Sequence, residues 1–277
     1  MNLRLLILLL SVSFFRSHSQ NIIPDGISEQ ESILYAQTKQ VSQFFKRFNG
    51  EENRKGARLY KGDSLYQSKE LRTMYLNMLF DKNSNSVPDS LKKEFIRSVT
   101  SDSMPVFLDF HGQHWFAELA TSFKYYNKKE KLILFLKLEK EKLGYKWVLT
   151  NVYFDKFLKK FFKGEKEVIA RSFLHPLSHE LDFMNIYKIF NDPQYTEYYA
   201  NAGHSPDFLT LLIYEVKQGN MKFLSSDNLK FHFLQVDGWY FELSWFNRPH
   251  HNSGWLISKL FRINEEEKED LLQFYFP

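Results

Sequence analysis

The chain has no cysteine in its 277 residues. That excludes disulfides, thiol catalysis, thiolate-bound zinc and lipid anchoring through a cysteine. It carries no glycine-rich phosphate loop, no HExxH and no GxSxG, so the usual signatures of nucleotide, zinc-peptidase and serine-hydrolase chemistry are missing. The apolar run Leu5–Phe15 is shorter than the roughly 20 residues that a bilayer-spanning helix needs. Arginine is absent from the most basic stretch, Lys124–Lys166, which holds 13 Lys against 5 acidic residues. A phosphate-reading surface favours the guanidinium fork, so the missing Arg argues against nucleic acid.

What is present begins with a targeting pattern. Arg4 precedes the apolar run, and Ser17-His18-Ser19 offers small residues before a cut at Gln20. Residues 1–19 are expected to be a signal peptide and the protein to be exported, periplasmic or extracellular. The Lys124–Lys166 strip can draw an anionic surface, and peripheral membrane contact is one reading. A solvated face of strands and a surface helix accounts for it as well.

Helical spacing marks Gln37, Val41, Phe44, Phe45 and Phe48, closed by Asn49-Gly50, and then Leu71, Met74, Tyr75, Met78 and Leu79, entered near Ser64 or Ser68. A third helix starts at Pro88-Asp89, with Asp89 as its cap. Strands are expected at 106–110, 115–126, 131–138 and 145–154. Phe154–Phe162 reads as a short basic amphipathic helix, followed by helices capped at Ser178 and at Ser205-Pro206-Asp207. Leu229–Ile263 is a three-strand meander whose Asp237-Gly238 predicts a type I′ hairpin, with residues summing to 475 opposed. Asn264 caps a final acidic helix. Helices and antiparallel meanders in this order give the α+β class.

The chain also echoes itself. Trp115-Phe-Ala-Glu118-Leu119 matches Trp239-Tyr-Phe-Glu242-Leu243, and WVLTNVYF from Trp147 matches WLISKLFR from Trp255. A duplication predicts two similar domains, residues 20–160 and 173–277, with a linker at 161–172. The stretches QVSQFFKRFNGEENRKG, TSDSMPVFLDFHGQHWFAELATSFKYY and KWVLTNVYF, with VDGWYFEL and SGWLISKLFRI in the second half, resemble NTF2-like domains in tandem. The resemblance implies helices packed on a curved antiparallel sheet. It spans small-molecule enzymes, ligand carriers and interaction modules, so by itself it selects no activity.

Glu118 and Glu242 occupy matching positions in aromatic strands and are the candidate acid–base carboxylates. A His232–Glu242 dyad is not expected, because the 475 register places them diagonally. Trp115, Trp239, Tyr240 and Trp255 are the candidate lining of an apolar pocket. His111 and His114 are the only metal candidates worth naming, without a third ligand fixed by spacing. His175, His179, His250 and His251 sit in weaker patterns. No cofactor is expected. The expected function is ligand binding or protein interaction in the cell envelope, through a small apolar or aromatic ligand or an envelope protein. Acid–base catalysis on a small molecule and anionic-surface binding are the alternatives.

Overall fold

The computed structural model describes residues 37–38, 40–84, 86–161, 186–201, 204–248 and 252–276. The expected signal peptide, the Ser178-capped helix, most of the linker and the histidines at 175, 179, 250 and 251 lie outside the described residues. The architecture is α+β. The strands are β1 (Gln37–Thr38), β2 (Trp115–Tyr125), β3 (Lys128–Glu141), β4 (Gly144–Tyr153), β5 (Met221–Phe233), β6 (Trp239–Phe246) and β7 (Ser253–Arg262). They form one sheet in the order β1-β7-β6-β5-β2-β3-β4. Both meanders therefore belong to a single sheet, and the halves do not each carry a sheet of their own as the duplication predicts.

The chain divides into two compact units by interleaved segments. The larger draws on the chain up to Thr121, Leu134–Asn151 and Ser225–Pro277; the smaller takes Ser122–Ile133 and Val152–Leu224.

In the larger unit, three helices follow β1: α1 (Val41–Asn49), α2 (Lys69–Leu79) and α3 (Asp89–Val99). Gly50 closes α1 in the left-handed conformation at φ 71°, and the Ser68 side chain accepts from the Leu71 amide to start α2. Asp89 is the first residue of α3 and does not cap it; Pro88 holds the cap position. These helices bury Phe44, Phe45, Phe48, Leu76, Leu79 and Phe95 against one face of the sheet. That face is aromatic: Phe233 and Phe241 stack at 4.7 Å between centroids, Phe48 lies parallel to Phe241, and Phe95 meets Trp239 at 5.2 Å. Strand β6 alternates, with Trp239, Phe241 and Leu243 turned toward the helices.

No strand forms at 106–110. The backbone there is satisfied by other means: the Asn49 side chain bonds both the amide and the carbonyl of Leu108 at 2.8 Å, and buried Arg72 donates to the Val106 carbonyl. A segment whose polar groups are met by side chains needs no ladder partner.

The β5–β6 register also differs from the expectation. His232 is opposite Glu242 and Phe233 opposite Phe241, one residue away from the predicted pairing. Only Gly238 takes positive φ, whereas a type I′ turn needs two such residues. With Trp239 N bonded to the Val236 carbonyl, the turn holds one more residue than a two-residue loop and shifts the pairing. On the opposite face lies α7 (Glu265–Tyr275), where Asn264 and Glu267 form the reciprocal capping box.

The smaller unit contains α4 (Asp155–Lys160), α5 (Lys188–Asn191), a 3₁₀ turn (Thr196–Tyr199), α6 (Phe208–Lys217) and the strand portions assigned to it. Asp207, not Ser205, caps α6, accepting from the amides of Leu209 and Thr210. Its core is small: Phe154 packs on Phe157 and Tyr125, and Phe157 approaches Phe208. Among the described residues no helix is long and apolar enough to cross a membrane.

Candidate functional site

Both candidate carboxylates lie in the larger unit, on the sheet face turned away from α1–α3. Strand β5 runs between β2 and β6, so the echoed strands flank it on either side. Period-2 alternation sends Lys230 and His232 of β5, Glu118 and Phe116 of β2, and Tyr240, Glu242 and Ser244 of β6 to this face. The result is a row of charge across three strands: Glu118, His232, Glu242. His232 and Glu242 are directly opposite, which the predicted register excluded, and the side-chain contact of His232 is with Glu118 on its other side.

His232 is fully buried. Its Nδ1 lies 2.6 Å from the Tyr240 hydroxyl and its Nε2 lies 3.0 Å from Glu118 Oε2. The Nε2 contact is close but too bent to be a well-formed hydrogen bond. A carboxylate only accepts, so Nε2 carries the hydrogen; Nδ1 then accepts from Tyr240 in the neutral ring, or donates to it in the imidazolium. Phe116 stacks on the ring at 4.7 Å, and Tyr275 of α7 packs on Phe116 at 4.2 Å. The Tyr275 hydroxyl is buried and has no hydrogen-bond partner among the described residues.

Glu242, 1% exposed, is held more completely. Lys230 Nζ lies 3.4 Å and Lys259 Nζ 3.3 Å from its carboxylate, and Ser258 and Ser244 donate to Oε1 at 3.1 and 3.3 Å. Ser258 reaches it because the β6–β7 ladder is interrupted between Glu242 and Leu243, leaving Ser258 as the extra residue of a bulge. Burial works to raise the Glu242 pKa, but Lys230, His232, Lys259 and the Ser258 hydroxyl together bring it down to about 2. For Glu118, burial likewise pushes up, and His232 followed by Lys230 outweigh it, leaving the carboxyl below its ordinary range. Burial raises both Tyr240 and Tyr275 well above the ordinary phenol value. The carboxylates are therefore ionised and the phenols neutral across the physiological range.

Chemically, the row can hold charge and share a proton between His232 and Tyr240. Its polar atoms mostly bind one another, Phe116 covers one side of the imidazole, and α7 packs over the face.

The pocket-lining candidates are placed elsewhere. Trp115, Trp239 and Trp255 are buried in the aromatic core on the helix side, Trp115 stacked on Phe233 at 5.5 Å and Trp255 packed on Phe231 at 4.8 Å. Tyr240 alone joins the charged row. His111 stacks on Tyr145 at 4.2 Å, and His114 turns the chain at φ 65° while its carbonyl accepts from Leu234. No group of three metal-binding side chains occurs among the described residues. The lysine strip is partly spent on local pairs, Lys146–Glu141 in the larger unit and Lys156–Glu130 and Lys159–Asp155 in the smaller.

A second feature of functional interest is the surface of the smaller unit. Ile213, Tyr214 and Val216 of α6 and Phe223 and Leu224 at the start of β5 are 45–58% exposed. Of the residues 208–217, FLTLLIYEVK, only Leu212 is buried. A helix apolar around its circumference needs cover on more than one side. That all-round composition was the available signal.

No family model matches the chain, and no curated protein or solved structure matches it significantly.

Proposed function

We propose that the protein is an exported, non-catalytic binding protein that makes its contact through the smaller unit. The observation that carries this reading is the exposed apolar surface of α6 and the start of β5. Five bulky apolar side chains exposed within one short stretch, 213–224, are costly to leave in water and mark an interaction site. The leader-like residues 1–19 support export, and the NTF2-like resemblance fits, since that family includes interaction modules. The test is a photo-reactive phenylalanine in place of Tyr214, in the full chain expressed in its own cells. The expected result is a discrete adduct, protein or lipid, that an identical probe at exposed Lys61 does not give. Equal or absent labelling at the two positions defeats the reading.

One observation favours a second reading, acid–base catalysis: the 3.0 Å approach of Glu118 to His232 beside a second buried carboxylate. On the binding reading, no substrate in a broad hydrolase screen is turned over. Turnover that disappears in Glu118→Gln, with the unfolding midpoint retained, puts the catalytic reading in its place.

A further inference from the structure

We infer that the partner of the exposed α6–β5 surface is an anionic lipid surface. This rests on the reading that the smaller unit makes the contact. Residues 213–224 read IYEVKQGNMKFL, with a tight turn at Gln218–Asn220 joining the helix to the strand. Five bulky apolar side chains in this stretch are exposed, as are Lys217 and Lys222 on either side of the turn. The one carboxylate, Glu215, is turned back into its own unit. It accepts from Asn220 Nδ2 at 2.9 Å and lies 3.5 Å from the Tyr125 hydroxyl. Neither Lys217 nor Lys222 makes an ion pair among the described residues. The stretch thus presents exposed apolar and aromatic groups with two cations between them.

The kind of cation separates the candidate partners. Interfaces between proteins are enriched in Arg and depleted in Lys at their centres. The described residues of the smaller unit contain no Arg at all. Lysine stems lie along apolar surface while the ammonium stays in the headgroup layer, and Tyr and Phe suit the same depth. Each Lys near an anionic leaflet adds attraction that one lysine on a neutral membrane lacks. A second copy of the chain fits less well, since a two-fold contact through this stretch would bring lysines toward their own symmetry mates. Exposed apolar side chains interleaved with lysines, their one acid withdrawn, fit a negatively charged bilayer.

The experiment is co-sedimentation of the purified full chain with phosphatidylcholine vesicles, with and without phosphatidylglycerol, at two salt concentrations. Partition is expected only with phosphatidylglycerol present and to weaken as salt rises. The double variant Lys217→Glu/Lys222→Glu should lower it by about tenfold or more. Lys217→Arg/Lys222→Arg should retain it, and an unchanged unfolding midpoint shows that each variant is folded. Equal partition onto neutral vesicles, or no loss on charge reversal, overturns the assignment. No vesicle binding together with a discrete protein adduct at position 214 overturns the lipid partner and leaves the contact surface standing. No vesicle binding and no adduct overturns both.

Discussion

Replacing Phe241 by alanine is expected to lower the unfolding free energy of the larger unit by about 3–5 kcal/mol, the usual range for deleting a buried phenyl group. Phe241 has no exposed surface and stands where the helices and the sheet meet. It stacks on Phe233 across the β5–β6 ladder, lies parallel to Phe48 of α1 at 6.3 Å, and takes an edge contact from Phe95 of α3 at 5.6 Å. Truncation removes the phenyl area from the core and strips contacts from two helices at once. The surrounding rings are rigid and belong to different elements, so the cavity collapses poorly. Urea denaturation followed by tryptophan fluorescence measures the loss, and a change below about 1 kcal/mol would contradict the packing described. Tyr214→Ala on the exposed surface is the contrast, with an expected effect within about 0.5 kcal/mol.

The second large effect is acid sensitivity through Glu242. Its pKa is about 2 in the folded chain against an ordinary 4.5. A carboxyl depressed by folding contributes stability that is fully present above the unfolded value and is lost as pH falls through the folded one. The window therefore runs from about pH 4.5 down to about pH 2, and the contribution is on the order of 3 kcal/mol. Glu118 is depressed as well and should add to the same slope. Glu242→Gln abolishes that titration and leaves Lys230 and Lys259 without their shared counter-charge. The variant should be less stable at neutral pH and show a shallower decline between pH 4.5 and 2. Urea midpoints across this range report both quantities. Parallel declines in the two proteins would show that Glu242 is not the titrating group.

Several features of the fold were legible because they depend on a few neighbouring residues. The left-handed close of α1 at Gly50, the Ser68 start of α2, the Asn264 capping box and the alternation of β6 each follow from local backbone requirements. The candidate pair Glu118 and Glu242 was legible for a similar reason, as the same residue recurring at the same place in two aromatic strands.

What the tertiary structure decided is how those strands assemble. The echo suggests two sheets, but β2 and β6 instead enclose β5 in one, and that adjacency brings both glutamates to His232. No local rule selects the neighbour of a strand across about a hundred residues of chain; side-chain packing does. The bulge that aims Ser258 at Glu242, and the single left-handed Gly238 that slips the register by one, are likewise settled by pairing. Residue order alone yields the α+β class, the Gly50 and Asn264 helix ends and the apolar face of β6, since each depends on short-range backbone and hydration chemistry. Only the tertiary structure decided which charges are buried together and which apolar side chains remain in water, because both depend on contacts between residues far apart in the chain.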